Sequence, residues 1–300
     1  MAQQLRAIKR RISSVKSTQK FTSAMELIAS SRVIRAQQRV EAARPYSEEM
    51  RRLMASVARN AGSIDHPLLR PRDDVGTVGT IVVTSDRGLA GTYNSNVLRA
   101  AERDMQAHGH ANTLWLTGKK GISYFRFRGY DIDPDKTWQG VSDRPGIEDA
   151  RAVAKAAAEG FSNGDVDQVR LAYTRYESAL TQRPTVVQLL PLPREEIEEL
   201  QESKDDESGP NYVFEPEPEE ILSLLVPRYV EGNILQGMLE AAASEHAARR
   251  RAMKAATDNA SELIEDLTRV YNQARQAEIT TEIMEVIGGA EALAGAAKGK

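Results

Sequence analysis

Cysteine is absent from the 300 residues of this sequence. Its absence excludes disulfides, thiolate metal sites and thiol catalysis, and a cytosolic protein is the plain expectation. No run of eighteen apolar residues occurs, so the sequence predicts no membrane span. The basic N-terminus lacks the apolar stretch of a secretory signal. An organellar presequence can share this composition, but the segment continues directly into a helical pattern, and we interpret it as mature protein.

Aromatic residues are scarce, with five Phe and two Trp. An apolar content of 41% still supports a core, which must then be largely aliphatic. Charged residues make up 28% of the chain, and together with Ala-rich stretches they are typical of long helices. The length allows one or two domains.

Residues 1–60 contain no glycine and a single proline, Pro45. Apolar residues recur there at alternating steps of three and four, as in the seam of a coiled coil. They are Leu5, Ile8, Ile12 and Val15. The same rhythm returns near the other end of the chain, at Ala252, Ala256, Asn259, Leu263, Leu267, Val270, Ala274, Ala277, Thr281 and Met284.

Each of these stripes is too narrow to bury a helix by itself. We therefore predict an N-terminal helix over residues 1–60 and a C-terminal helix over 218–300 that pair as an antiparallel coiled coil. Pro45 is the local conflict, because a proline inside a helix removes a hydrogen bond and tends to bend it.

The sequence between the helices has a different pattern. Residues 80–84 (TIVVT) form an apolar β-branched run, followed by a glycine-containing turn and a helical stretch to Ala107. Strand, glycine turn and helix indicate a βα unit. We predict further strands at 114–116, 169–176 and 185–190, and helices at 119–128 and 147–161. The fold class is thus α/β with the paired helices, and the sheet of a small Rossmann-like domain (76–193) is largely parallel, with room for one antiparallel edge strand.

The net charge of −3 conceals a strong asymmetry. Residues 195–220 carry twelve acids against Lys204, and we predict an acidic loop over 194–217. Residues 1–20 contain no acid and six basic residues, namely Arg6, Lys9, Arg10, Arg11, Lys16 and Lys20. Aromatic interleaving and nucleic-acid motifs are missing, so we predict an acidic protein surface as the partner of this basic block, rather than nucleic acid.

Signals for chemistry are weak. The glycines Gly88 and Gly91 are spaced GxxG, not GxGxxG, and residues 118–121 (GKKG) lack the Ser or Thr of a P-loop. Both patterns are read as tight strand-to-helix turns. His108 and His110 suit a helix end, His66 lies in a loop, and His246 stands among residues of surface type. We predict no catalytic residue, no cofactor site and no metal site.

Four segments carry a family resemblance. They are residues 12–26 (ISSVKSTQKFTSAME), 85–96 (SDRGLAGTYNSN), 253–260 (MKAATDNA) and 270–290 (VYNQARQAEITTEIMEVIGGA). Together they resemble the gamma subunit family of F-type ATP synthases, in the right order over nearly the whole chain. The resemblance implies an antiparallel coiled coil with a small α/β domain at its base.

The same resemblance implies a function. The chain would be the rotating shaft that couples ion flow through a membrane c-ring to the catalytic sites of an alpha3-beta3 ring, with an epsilon subunit as a further partner. Catalytic residues would belong to beta. Arg275 and Gln276 resemble a pair that contacts a beta loop, and Met25 resembles a position near the same loops. A peripheral location on the cytoplasmic face of a bacterial plasma membrane follows.

Two other functions stay open on the residues alone. One is a coiled-coil tether or scaffold unrelated to ATP synthesis, which shares the long helices but does not require the specific terminal segments. The other is a nucleotide-using enzyme built on the central domain. Co-purification with a nucleotide-binding ring tests the first alternative, and ligand titration tests the second.

Overall fold

The computed structural model describes residues 2–60, 68, 72, 74–192 and 218–298. Along the chain, the first and last elements are two long helices, α1 (Ala2–Asn60) and α5 (Pro218–Lys298). The strands of one sheet and three shorter α-helices lie between them in the sequence. The remaining elements are β1 (Thr77–Val83), α2 (Tyr93–His108), β2 (Ala111–Thr117), α3 (Lys119–Phe127), a 3-10 helix (Pro134–Lys136), β3 (Thr137–Trp138), α4 (Ile147–Ser162), β4 (Gln168–Tyr176) and β5 (Gln182–Leu190). The predicted acidic loop and His66 lie outside the described residues.

The sheet has the strand order β3-β2-β1-β4-β5. β1 pairs in parallel with β2 and with β4, while β4 and β5 are antiparallel. The prediction of α/β architecture with a largely parallel sheet and one antiparallel edge strand is confirmed. β3 was not predicted, because a two-residue strand is too short to show a periodic pattern.

The chain divides into two compact units. We call Met1–Ile28 with Arg251–Lys300 the terminal unit, and Ala29–Arg250 the central unit. In the central unit, side chains of α4 and α5 pack with Ile81 and Trp115 in one core cluster. Side chains of α2 and α3 pack with Val82 and Leu116 in a second. β1 is buried along almost its whole length because the two clusters lie on opposite faces of the sheet.

In the terminal unit, α1 and α5 are antiparallel. The Gln19 side chain bonds Ser261 and the Thr22 side chain bonds Thr257, so the numbers of facing residues add to 279 or 280. On α1, Leu5, Ile8, Ile12 and Val15 are partly buried between exposed neighbours. The predicted antiparallel pairing and the N-terminal seam are confirmed for this unit.

The predicted seam of α5 is correct at half of its positions. Ala252, Ala256, Leu267, Ala274 and Thr281 are partly buried, whereas Asn259, Leu263, Val270, Ala277 and Met284 are exposed. The seam instead uses their neighbours, among them Ala260, Ile264, Tyr271 and Glu278. Apolar residues are adjacent at 263–264 and 270–271, so periodicity alone fits two phases of the stripe. The predicted phase is wrong at the five exposed positions.

In the central unit the same two helices pack through Ala36 and Val40 of α1 and Leu239 and Ala243 of α5. α1 continues through Pro45, whose side chain is exposed, so the expected conflict does not end the helix. None of the helices within the described residues combines the length and apolar character needed to cross a bilayer.

Candidate functional site

The six basic residues of α1 are all exposed. Among the described side chains, none of the six forms an ion pair. At about 100° of helical rotation per residue, they spread over more than half of the helix circumference, on the side away from the seam, instead of forming a single row. The arrangement is a basic helix surface without internal neutralisation, which favours an anionic partner.

Arg275 and Gln276 are exposed on α5, and Met25 is partly buried on α1. The pairing of the helices puts Met25 opposite Lys254. Arg275 lies about 20 residues further along α5, or about 30 Å at 1.5 Å per residue. The structure therefore separates Met25 from Arg275 and Gln276 along the helix pair, and the contact of these residues with loops of a partner stays a prediction.

The central unit contains a polar cluster that sequence analysis missed, at the carboxyl end of β1. The Asp86 carboxylate accepts hydrogen bonds from the backbone N–H of Lys119 and of Ser142, each at 3.2 Å. The Asp86 N–H donates to Ser142 Oγ at 2.9 Å. Partial burial opposes ionisation, but backbone hydrogen bonds from Gly140, Ser142 and Lys119 lower the pKa of Asp86. An ionised carboxylate thus fastens three loops together.

The Asp86 carboxylate lies at the N-terminus of a helix, a position that favours anions. The first N–H of α3, at Lys119, points at Asp86 Oδ1, and helix N-termini are the usual seats of anionic groups. Gly118, directly before it, has φ of 87°. A Cβ at Gly118 would lie 2.2 Å from the Thr84 carbonyl oxygen. The GKKG segment is therefore a tight turn closed by an internal anion, in agreement with the interpretation of both glycine patterns as turns.

A buried ion pair on α5 holds the adjacent loop. Arg249 Nη2 lies 2.6 Å from Glu245 Oε1, and the two side chains are 6% and 2% exposed. The Arg249 guanidinium also donates to the Gly88 carbonyl oxygen from Nη2 at 3.1 Å and from Nε at 3.3 Å. Burial raises the pKa of Glu245, and Arg249 opposes that shift. Through its backbone carbonyl, Gly88 connects this turn to α5.

His246 is buried in the same cluster, so its expected surface position is wrong. Its Nε2 lies 3.6 Å from Asp143 Oδ1, and Asp143 also pairs with Arg32 of α1. Burial lowers the pKa of His246 to about 4, although Asp143 opposes the shift. The imidazole is therefore neutral at neutral pH.

This shift predicts a dependence of stability on pH. In the unfolded chain His246 takes up a proton below about pH 6.5, whereas in the folded chain it does so near pH 4. Stability from this residue is thus lost as pH falls through that window, by about 3 kcal/mol at most. Urea unfolding at a series of pH values should show a shallower loss in His246→Gln than in the wild type. Equal slopes would contradict the assignment.

α5 also fills the crevice where doubly wound folds bind ligands, outside the carboxyl ends of β1 and β4. Ser244 Oγ donates to the Thr174 carbonyl oxygen at 3.1 Å. Gly237 lies against Leu171 and Tyr173 of β4. The cavity that remains near Glu245 and Tyr93 has a volume of about 10 Å³, room for one water-sized molecule. Among the described residues, no group of three acidic, His or Cys side chains is arranged to hold a metal.

A weak signal for the cluster exists in the sequence. Glu245 and Arg249 are four residues apart, the spacing of a helical ion pair, but Lys254 and Asp258 have the same spacing and are exposed. What distinguishes the first pair is the preceding small-residue run 241–244, which is buried throughout.

Comparison with known proteins gives consistent matches. The family model described as ATP synthase matches residues 4–293. The ATP synthase gamma chain of Saccharopolyspora erythraea is 45% identical over 310 residues, covering 98% of each chain. That of Acidothermus cellulolyticus is 47% identical over 300 residues, again covering 98% of each.

Solved structures share the fold. A chain of the central stalk and c-ring of the Tetrahymena thermophila mitochondrial ATP synthase aligns with a TM-score of 0.59 at 23% identity. The alignment covers 79% of this chain and 99% of that one. A rotor chain of the Euglena gracilis mitochondrial ATP synthase aligns with a TM-score of 0.64 at 16% identity, covering 93% and 100%.

Proposed function

Because the chain belongs to the ATP synthase gamma-chain family, we propose that it is the central shaft of a rotary ATP synthase. The observation that carries this role is the antiparallel pairing of α1 and α5 in the terminal unit through small and hydroxyl side chains. Small seam residues allow two helices to approach closely and give a slender pair. Family membership disfavours the alternative of an unrelated tether.

The partners of the shaft follow from this role. We infer that the chain contacts the alpha and beta subunits of an alpha3-beta3 ring, an epsilon subunit and a membrane c-ring, without nucleic acid. The unpaired basic residues of α1 suit acidic loops of the ring. Attachment through these partners places the chain peripherally, at the cytoplasmic face of the bacterial plasma membrane.

The chain itself is proposed to be non-catalytic and free of cofactors, with the catalytic residues on beta. The support is that Asp86 closes the turn at α3 and that α5 fills the crevice beside β1. We expect calorimetric titration of the isolated chain with ATP, ADP or NAD to give no saturable heat. Micromolar binding abolished by a change at Gly88 or Gly91 would overturn this proposal.

Contact with beta is assigned to three side chains. Arg275 is proposed to make the strongest contact, because a guanidinium can bind a carboxylate through paired hydrogen bonds. Gln276 is proposed to add an uncharged hydrogen bond beside it. Met25, on the opposite helix and about 30 Å away along the pair, is proposed to lie near beta loops as well. A shaft must be pushed without being held at one angle, so few strong contacts are expected.

We predict that Arg275→Ala impairs ATP-driven ion pumping by the assembled complex while the isolated chain keeps its helical content. A hydrogen bond to a charged group contributes about 1.5 to 3 kcal/mol, so a tenfold or larger loss of coupling is expected. Arg269→Ala is the control, since Arg269 is exposed on the same helix and pairs with Asp266. Pumping that falls equally in both variants, or in neither, would remove the special role of Arg275.

A further inference from the structure

The most deeply buried part of the terminal unit is centred on polar side chains. Among its described residues, Thr22, Met253 and Ala260 are the least exposed, at 5%, 4% and 7%. Gln19 Nε2 donates to Ser261 Oγ at 2.8 Å, and the hydroxyls of Thr257 and Thr22 are 2.8 Å apart. We call Gln19, Thr22, Thr257 and Ser261 the hydroxyl layer.

The Ser261 hydroxyl bonds both within its own helix and across to the other, while the two threonine hydroxyls share two protons among one interhelical and two intrahelical contacts. Thr22 Oγ1 lies 3.0 Å from the Gln19 carbonyl oxygen, and Thr257 Oγ1 lies 2.9 Å from that of Met253. Ser261 Oγ donates to the Thr257 carbonyl oxygen at 2.9 Å. The intrahelical bonds fix the hydroxyl rotamers, so the interhelical bonds form at one relative position of the helices.

The other seam residues near the layer discriminate little between positions. They are largely Ala, Val, Ile and Leu, which pack against one another after a slide of one helical turn, about 5.4 Å. The hydroxyl layer does discriminate. After a slide of three residues toward the C-terminus of α5, Thr22 would face Ala260 and Gln19 would face Ile264. Buried polar groups would lose their partners, which is costly.

We propose that the hydroxyl layer is a register lock, in which Gln19, Thr22, Thr257 and Ser261 position α1 against α5 and resist sliding of one helix along the other. Single polar layers are known to set register in coiled coils at some cost in stability. On the proposed function, which this part of the inference assumes, the lock keeps the pair from shearing while torque passes along it.

The test uses engineered disulfides to capture positions in which α1 has slid along α5. It uses the whole 300-residue chain, which has no cysteine of its own. Val15→Cys with Ile264→Cys reports the native register, because these numbers add to 279. Val15→Cys with Leu267→Cys reports a slide of one turn. The two pairs are compared with and without Thr22→Val and Thr257→Val, which preserve shape and remove both hydroxyls.

We expect the Thr22→Val, Thr257→Val background to raise the ratio of shifted to native crosslinking rates at least tenfold, with helical content and melting temperature not lowered. Thr22→Ser with Thr257→Ser should restore the wild-type ratio. The matched control is Thr18→Val with Thr268→Val. In the wild type, the hydroxyls of these two threonines are exposed and donate only to carbonyl oxygens of their own helices. This control should leave the ratio unchanged.

A ratio that stays at the wild-type value in the valine background would overturn the register lock. So would an equal rise in the control, since that would reflect general loosening. Either result leaves the shaft role intact, because crosslinking is measured on the isolated chain. A lock confirmed by crosslinking should also lower ATP-driven ion pumping per ATP hydrolysed in complexes carrying Thr22→Val and Thr257→Val.

Discussion

Arg249→Met is expected to lower the free energy of unfolding of the isolated chain by about 3 to 5 kcal/mol. The change leaves Glu245, which is 2% exposed, without its counter-charge. It also removes both hydrogen bonds to the Gly88 carbonyl oxygen. Breaking a buried pair costs more than the pair contributes, because the remaining charge stays desolvated.

Two comparisons make the result specific. Lys254→Met removes one partner of an exposed pair with the same four-residue spacing, at 64% and 57% exposure, and should cost less than about 0.5 kcal/mol. Adding Glu245→Leu to Arg249→Met removes the stranded charge and should recover much of the stability. A double variant as unstable as Arg249→Met would mean that the loop contact at Gly88, not the buried charge, dominates.

Gly118→Ala is the second substitution with a large expected effect. A Cβ there would lie 2.2 Å from the Thr84 carbonyl oxygen, and φ of 87° is unfavourable for any other residue. The obstacle is backbone at the end of β1, so it cannot turn away as a flexible side chain would. We expect a loss of more than about 3 kcal/mol or a failure to fold.

Gly109→Ala separates the two causes. Gly109 also has a positive φ, of 67°, but nothing lies within 4 Å of a Cβ built there. Its replacement should therefore cost about 1 to 2 kcal/mol from the backbone conformation alone. Chemical unfolding of both variants measures the difference. Similar losses would show that the close approach to Thr84 relaxes easily and that Gly118 is needed for its φ alone.

Four of the five strands of the central sheet could be predicted because each has a strong local signal. The β-branched run at 80–84 and the glycine turn after it mark β1 and the start of α2. The α5 stripe shows the limit of that approach. Leu263 and Ile264 are both apolar, and which of them faces α1 depends on the relative rotation of two helices, a property that neither segment contains by itself.

The polar cluster could not be predicted for a related reason. His246, Glu245 and Arg249 resemble a solvated helix face, and their burial arises because loops from two distant βα connections close over them. Asp86 lies in the segment 85–96, one of the four that carry the family resemblance. Its structural role nevertheless depends on the N–H groups of Lys119 and Ser142, which are distant in the sequence. Long-range contacts decide whether a charged residue is exposed or buried.

The most direct test of the shaft role is to watch this chain move. The chain would carry a single engineered cysteine for attachment of a visible probe, in a complex with its alpha and beta subunits fixed to a surface. On addition of ATP, we expect sustained rotation of the probe in one direction, at a rate that follows ATP hydrolysis. Hydrolysis at full rate with a stationary probe, in complexes that demonstrably contain the chain, would contradict it.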